Sequence, residues 1–147
     1  MSDLVPPAPG HTLTVDQLNE HRGALNTAMG ITLTEASPQR CVAGMPVEGN
    51  TQPYGILHGG ASVVLAETLG STGAALHAAT LGKIAVGLEI SASHHRAARS
   101  GIVTGTATSV SLGGTVATYE VVITDEQDRR LCTSRVTCIL RDAPPGD

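Results

Sequence analysis

The sequence predicts an α+β domain in which an antiparallel β-sheet wraps around one long central α-helix. The helix is predicted for residues 59–81, a stretch without proline whose only formal charge is Glu67 and whose apolar residues lie on nearly every side. A helix that is apolar all round has to be covered by other elements. Before and after this stretch, apolar and polar side chains alternate, which is typical of strands with one face on a core.

The length of 147 residues fits a single domain with a core of its own. Residues 1–10 contain three prolines, and we expect them to form a flexible leader. Residues 11–142 are predicted to form the one domain. Residues 143–147 are predicted to be a short disordered tail.

The charge balance excludes several classes of function. Nine Lys and Arg residues against thirteen Asp and Glu residues give a formal net charge of −4, and no basic block stands out. The electrostatic footprint of a nucleic-acid-binding protein is therefore missing. There is also no apolar run of about twenty residues that could span a bilayer, and the start does not resemble a signal peptide. We expect a cytoplasmic protein with no nucleic-acid and no membrane partner.

The composition is unusual in its cysteines and its aromatic residues. Cys41, Cys132 and Cys138 stand in strand-like stretches at spacings unlike those of a zinc site, so we expect buried thiols, no metal and no other cofactor. The chain has no Phe or Trp, and its only tyrosines are Tyr54 and Tyr119. A core of Ala, Val, Leu and Ile favours closely approaching backbones.

The residues before the central helix predict one helix and two strands. A capping box at Thr14 and Gln17, followed by apolar residues at helical spacing, predicts a helix that ends at Gly30. Alternation over residues 31–47, interrupted by a Ser-Pro turn signal, predicts two strands. A polar loop then leads towards the central helix.

The residues after the central helix predict four strands. Short turn signals join the last three of them, so we expect these three to form an antiparallel meander. The alternating or β-branched runs occupy residues 84–90, 102–110, 115–124 and 132–140.

The candidate chemistry lies in the segment from Gln52 to the start of the central helix. The segment ends in His58-Gly59-Gly60, and a helix start offers unpaired N–H groups that can stabilise a carbonyl oxygen as it becomes negative. Glu67 lies two turns further on, and a lone carboxylate in an apolar helix is typical of a functional or an ion-paired group. The residues alone also allow three purely structural interpretations. Glu67 is then an ion-paired structural carboxylate, His58 is a loop histidine with satisfied hydrogen bonds, and Gly59 and Gly60 form a plain entry from the loop into the helix.

Residues 52–71, with their His-Gly-Gly and a Glu eight residues after the first glycine, resemble the acyl-CoA thioesterases of the hotdog fold. A second signature, VGLEISASHHRAARSG, occupies residues 86–101, and the resemblance extends over about residues 30–140. The chain looks most similar to the branch that acts on aryl-CoA esters, such as the Arthrobacter-type 4-hydroxybenzoyl-CoA thioesterases and the 1,4-dihydroxy-2-naphthoyl-CoA thioesterases. The resemblance implies hydrolysis of an acyl-CoA thioester to the free acid and CoA. The similarity to the aryl-CoA branch implies an aromatic acyl group.

The resemblance also implies roles for individual residues. Glu67 matches the catalytic carboxylate, which acts as a nucleophile or as a general base on water. The Gly59 amide matches the group that polarises the thioester carbonyl. Gln52 and His58 match residues that orient that carbonyl or the carboxylate, and Ser71 matches a residue near the attacking water. The predicted substrate-binding residues are His94 in the acyl pocket, Gly60, Val86, Gly87 and Ser111, with Arg96 and Arg99 at the CoA phosphates. Because cationic side chains suit phosphate oxygens, Lys83, Arg130 and Arg135 are further phosphate candidates.

The spacing of Gly59 and Glu67 bears on assembly. Eight helical residues span about 12 Å, so the Glu67 carboxylate does not easily reach a carbon whose oxygen rests on the Gly59 amide of the same chain. If both act on one thioester, they come from different subunits, which predicts a homodimer that forms the active sites and a homotetramer built from two dimers. Two alternatives remain open: a hotdog protein that binds acyl-CoA without turnover, and a hydratase or dehydratase of the same fold.

Overall fold

The computed structural model describes residues 12–144 and shows one six-stranded antiparallel sheet with a long helix against one face. The predicted leader lies outside the described residues, as does most of the predicted tail. The α+β fold class, the long central helix and the two-strand and four-strand segments around it are confirmed. The helices are α1 (Val15–Glu20), α2 (Gly23–Met29) and α3 (Gly59–Thr80), and the strands are β1 (Thr32–Ala36), β2 (Arg40–Pro46), β3 (Ile84–His94), β4 (Ile102–Leu112), β5 (Val116–Thr124) and β6 (Arg130–Arg141).

The strand order across the sheet is β1-β2-β4-β5-β6-β3. The predicted meander of the last three strands is confirmed, since β4 pairs with β5 and β5 with β6, both antiparallel. The first strand after α3 does not join β4, its neighbour in sequence. It crosses to the far side and pairs with β6, so that β1 and β3 form the two edges of the sheet.

The single helix predicted before Gly30 is wrong, because the chain forms two short helices there. The capping box is present at the start of α1, where the Gln17 N–H donates to the Thr14 hydroxyl at 3.2 Å and the Thr14 N–H donates to the Gln17 side chain at 2.9 Å. The interruption lies at Gly23, whose φ is +83°. A continuous right-handed helix cannot contain this conformation, and glycine adopts it without steric cost.

Helix α3 lies unusually close to the inner face of the sheet. A Cβ added at Gly70 would lie 2.7 Å from Val136, and one added at Gly73 would lie 2.7 Å from the ring of Tyr119. The Tyr119 hydroxyl donates a hydrogen bond of 2.7 Å to the Pro38 carbonyl, which satisfies the one polar atom of this buried ring. None of the helices in residues 12–144, α3 included, is both long enough and apolar enough to cross a membrane.

The two edges of the sheet are finished differently. At β1, the side-chain amide of Asn19 on α1 donates to the Leu33 carbonyl at 2.9 Å and accepts from the Leu33 N–H at 2.8 Å. At β3, no described segment lies along the outer edge of the strand, which is eleven residues long. Both strands carry an irregular register, at Thr34 in β1 and at Leu88 in β3, and Leu88 is 61% exposed.

Candidate active site

A small loop positions the residues that precede α3. Thr51 and Leu57 form an isolated bridge, and the Gln52 N–H donates to the Ile56 carbonyl at 2.9 Å. The Leu57 N–H donates to the Ala98 carbonyl at 2.8 Å, which ties the loop to the segment that follows β3. The sequence elements 52–60 and 86–101 therefore meet at the N-terminal end of α3.

His58 is the N-cap of α3. Its backbone is extended, and its ring Nδ1 accepts a hydrogen bond of 2.8 Å from the Gly60 N–H. Since Nδ1 accepts, the proton of the neutral ring is on Nε2. In this geometry the Gly60 N–H and the His58 Nδ1 are each other's hydrogen-bond partner. For Nδ1, therefore, the structural interpretation of His58 as a hydrogen-bonded loop histidine holds.

The Gly59 N–H, by contrast, has no hydrogen-bond acceptor among the described residues. It belongs to the first turn of α3, where N–H groups have no partner within the helix and lie at the positive end of the helix dipole. A Cβ added at Gly59 would lie 3.1 Å from Nε2 of His94, the last residue of β3. The absence of a side chain thus lets the His94 ring cover this helix start.

Gly59 and His94 line an open cleft of about 400 Å³ together with Gln52 and Arg96. The Gln52 side-chain oxygen accepts a hydrogen bond from the Tyr54 N–H, and its amide NH₂ has no acceptor among the described residues. The cleft therefore brings together two free donors, the Gly59 N–H and the Gln52 NH₂, which suit a carbonyl oxygen. Its apolar wall, which the sequence analysis missed, consists of Ile56, Leu57, Ala97, Ala98 and Leu131.

Glu67 belongs to a second cluster, further along α3. The Ser71 hydroxyl donates to Glu67 Oε1 at 3.2 Å, and the same oxygen lies 2.7 Å from the position of a Cβ added at Gly87 on β3. Cys138 pairs with Gly87 across the sheet, and burial raises the pKa of its thiol, with the Ser71 hydroxyl opposing the rise and the Glu67 carboxylate adding to it. No Lys or Arg of the described chain forms an ion pair with Glu67, so the structure gives it no intrachain cation.

The other predicted substrate residues are not brought to either cluster. Val86 faces the outer side of the sheet, and Ser111 stands near the hairpin whose Gly113 carbonyl contacts His77, close to the C-terminal end of α3. Arg96 is the one predicted phosphate-binding residue among the residues that line the cleft. The other cations have different contacts or none at the cleft: Lys83 donates to the Gly114 carbonyl, Arg130 to the Thr133 hydroxyl, Arg135 pairs with Glu89, and Arg99 is exposed on the loop after β3.

A metal ion finds no ready site in this arrangement. Within residues 12–144, no three His, Cys, Asp or Glu side chains come together as ligands would. The three cysteines are free and buried, as predicted.

The sequence and the fold match a known family. The model of the thioesterase superfamily matches residues 54–132, just over half of the chain. The chain belongs to this superfamily, and its fold is the hotdog fold.

Particular relatives agree with this assignment. The proofreading thioesterase EntH of Cronobacter sakazakii is 47% identical over 125 residues, which cover 84% of this chain and 85% of the relative. The putative esterase ComA2 of Bacillus subtilis is 47% identical over 111 residues, 75% of this chain and 88% of the relative. Among solved structures, thioesterase HI1161 of Haemophilus influenzae is 38% identical with a TM-score of 0.83, covering 90% of this chain and 93% of its own. The chain is a thioester hydrolase, which confirms the prediction of an enzyme over a non-catalytic binder or a hydratase.

Proposed function

We propose that two copies of this chain hydrolyse acyl-CoA thioesters in sites that both copies build. The observation that supports this most is the separation of the donors from the carboxylate: Gly59 and Gln52 line one cleft, and Glu67 lies about 12 Å further along the same helix, against β3. In the proposed site the Gly59 N–H and the Gln52 NH₂ hold the thioester carbonyl oxygen. The Glu67 carboxylate of the other subunit faces the carbonyl carbon.

Two chemical routes fit this arrangement. Glu67 can attack the carbonyl carbon, expel CoA as the thiolate and leave a mixed anhydride that water hydrolyses. Alternatively, Glu67 accepts a proton from a water molecule, the resulting hydroxide adds to the carbon, and CoA leaves from the tetrahedral intermediate. In both routes the negative charge that develops on the carbonyl oxygen is stabilised by the two donors. Ser71, which already donates to Glu67, holds the carboxylate in place.

The bare edge of β3 supports the proposed dimer. Exposed strand edges pair readily with a second chain, and β3 has both the length and the apolar side chain of Leu88 for such pairing. If two β3 strands pair antiparallel about a twofold axis between Ile90 and Ser91, Gly87 comes to lie opposite His94 of the partner subunit. Since Glu67 lies against Gly87 and Gly59 lies beside His94, this pairing brings the carboxylate of one chain towards the donors of the other.

The outer face of the sheet is the surface we propose for the tetramer. Val86, Ile139 and Val116 are neighbours across three strands and are all exposed on that face. Two dimers that pack through this row bury it in the middle of a sheet-on-sheet contact. Sedimentation equilibrium tests the assembly, and an active monomer at assay concentration contradicts both the dimer and the tetramer.

We propose an aromatic acyl group as the substrate, with Arg96 at a CoA phosphate. The cleft is open and its apolar wall consists of aliphatic side chains without rings, which leaves space for a flat ring beside the thioester. Arg96 lines the same cleft and forms no ion pair within residues 12–144, so its guanidinium is available to bind phosphate oxygens. A screen of benzoyl-, hydroxybenzoyl-, naphthoyl- and alkyl-CoA esters that follows thiol release tests the acyl class. Higher kcat/KM for medium-chain alkyl esters than for all aryl esters contradicts the aromatic assignment.

A subunit-mixing experiment tests the shared site directly. Glu67→Gln removes the carboxylate and Gln52→Ala removes a donor, and each homodimer then has two damaged sites. In a mixed dimer one site receives both damaged groups and the other receives neither. Mixing the two inactive proteins is therefore expected to restore part of the activity. If no activity returns although subunit exchange is shown by mass spectrometry, the donors and the carboxylate act within one chain.

A further inference from the structure

We propose that Gly87 is a positioning residue for the Glu67 carboxylate: its missing side chain leaves a notch in β3 that the carboxylate occupies. This inference rests on the proposed role of Glu67 and assigns to Gly87 a task other than contact with the substrate. Helix α3 carries the carboxylate, and strand β3 forms the notch on the opposite side of it.

The first argument is the distance. A Cβ at position 87 would lie 2.7 Å from Glu67 Oε1, and the next nearest atom, Cδ of the same side chain, would lie at 3.8 Å. The contact is therefore with the carboxylate alone, and no backbone atom is near. To reach ordinary van der Waals contact the oxygen has to retreat by roughly 0.7 Å or more.

The second argument is the local shape of the strand. The register of β3 against β6 is regular up to Gly87 paired with Cys138, and it resumes at Glu89 paired with Thr137. Leu88 is the extra residue of this bulge. Bulges bend a strand locally and are frequent beside active sites, where they redirect neighbouring groups. Here the bulge and the glycine coincide at the point where the carboxylate meets the strand.

The third argument concerns what holds the carboxylate from the other side. Ser71 lies one turn further along α3 and donates to the same oxygen, Oε1, at 3.2 Å. Oε1 is thus fixed between a hydroxyl and the notch, while nothing in the described chain bonds to Oε2. A methyl group at position 87 pushes Oε1 away from β3 and disturbs this hydrogen bond.

The sequence around Gly87 offers no other reason for a glycine. No positive φ is found at this position, so an alanine fits the backbone conformation. Glycine in the interior of a strand weakens the strand and often marks the close approach of another group. The group that approaches here is the carboxylate of Glu67.

The test is Gly87→Ala, with Gly44→Ala as the matched control. Gly44 is also a strand glycine without a positive φ, and its added Cβ meets a methyl group of Ile102 at 3.3 Å and the Val103 carbonyl oxygen at 4.0 Å. We expect Gly87→Ala to lower kcat by between roughly tenfold and a hundredfold, the range for a misplaced catalytic group, with KM changed by less than about threefold. Both variants should keep a Tm within about 4 °C of the parent protein, because alanine replaces glycine without backbone strain.

A second measurement reports on the carboxylate without any turnover. In protein labelled with ¹³C at glutamate Cδ, the Glu67 resonance is identified by its loss in Glu67→Gln. We expect this resonance to shift in Gly87→Ala and to stay unchanged in Gly44→Ala. If the Glu67 resonance shifts in Gly87→Ala but the parent protein hydrolyses none of the acyl-CoA esters tested, the notch is upheld and the proposed acyl-CoA hydrolysis is rejected.

Three outcomes overturn the proposal. One is a parental kcat and an unmoved Glu67 resonance in Gly87→Ala. Another is a raised KM at constant kcat, which assigns Gly87 to substrate contact. The third is a large loss of Tm in Gly87→Ala but not in Gly44→Ala, which makes Gly87 a residue of the fold.

Discussion

The two edges of the sheet differ: the β1 edge is closed within the chain, and the β3 edge is open beside the candidate active site. At β1 the edge is closed within the chain, because Asn19 on α1 replaces a neighbouring strand by giving both its donor and its acceptor to Leu33. At β3 the edge stays open over eleven residues, and the catalytic candidates Glu67 and Gly59 lie directly behind it, against Gly87 and His94. One edge is therefore protected from pairing. The other is available to a second copy at the place where the proposed half-sites would meet.

The largest effect is expected at the carboxylate behind the open edge. Glu67→Gln keeps the shape of the side chain and removes its ability to attack or to accept a proton, so kcat should fall by roughly a hundredfold or more. The matched control is Glu89→Gln, which removes a carboxylate from β3, the strand that Glu67 contacts, where Glu89 forms only an exposed ion pair with Arg135. Steady-state kinetics of thiol release measures both. A folded Glu67→Gln protein with parental kcat rejects both chemical routes.

The next effect is expected on assembly. Leu88→Lys places a charge at the bulge of the open edge, where we expect an apolar side chain to be buried by the partner. Loss of that burial in each subunit should weaken the dimer by at least about tenfold, and activity should fall with the monomer fraction. Thr34→Lys makes the same kind of change at the bulge of the closed edge, and it should leave the assembly unchanged. Sedimentation velocity over a concentration series distinguishes the two variants, and equal behaviour would contradict the comparison.

At the closed edge we expect an effect on stability alone. Asn19→Ala leaves the backbone N–H and C=O of the buried Leu33 without the partners they have in the structure. The free energy of unfolding should fall by about 1–3 kcal/mol, the cost of unsatisfied buried groups. Glu20→Ala on the same helix, where the side chain is exposed, should change it by less than about 0.5 kcal/mol. Urea denaturation measures both values, and a changed kcat in Asn19→Ala would show that this edge also serves the site.

The smallest effect concerns the thiols beneath the two edges. Cys41 pairs with Ala36 of β1, whereas Cys132 and Cys138 pair with His94 and Gly87 of β3. Burial raises the pKa of all three thiols, so at pH 8 each forms less reactive thiolate than a free cysteine does.

Variants that keep one cysteine at a time allow the rates with a disulfide reagent to be compared. In the Leu88→Lys background the β3 edge has lost its partner, and we expect Cys132 and Cys138 to react a few times faster than Cys41 because local opening starts at unprotected edges. Equal rates at all three positions would mean that β3 is as firmly held as β1.

The fold was largely predictable from the sequence, because its signals are local. The apolar stretch over residues 59–81 and the alternating runs around it identify α3 and the strands. The break at Gly23 was missed, since apolar spacing says little about φ at one glycine. The crossing of β3 to β6 was not predicted either, because alternation shows which face of a strand is buried and not which strand lies beside it.

The candidate site was predictable in its residues and only partly in its geometry. The loop-to-helix motif contains Gln52 and Gly59, and the family resemblance added His94; the structure brings these three residues to one cleft. The distance between Gly59 and Glu67 also followed from helix geometry. The contact of Glu67 with Gly87 joins positions on two elements, and a single sequence does not reveal it. The same holds for the choice of Arg96 among the cations, which depends on which loop side chains reach the cleft.

The position of β3 in the sheet has a consequence for how the chain folds during its synthesis on the ribosome. Ile84 pairs with Arg141, near the end of the described chain, so β3 emerges long before β6, its one neighbour among the described strands, has been synthesised. Helix α3 also packs against β2, β4 and β5, which are made earlier, but until β6 is made the part of α3 that β6 covers stays exposed. Non-local pairings of this kind form slowly. The unpaired β3 strand and this part of the apolar helix are thus exposed together in the nascent chain, and Arg130–Arg141 complete the core in one late step.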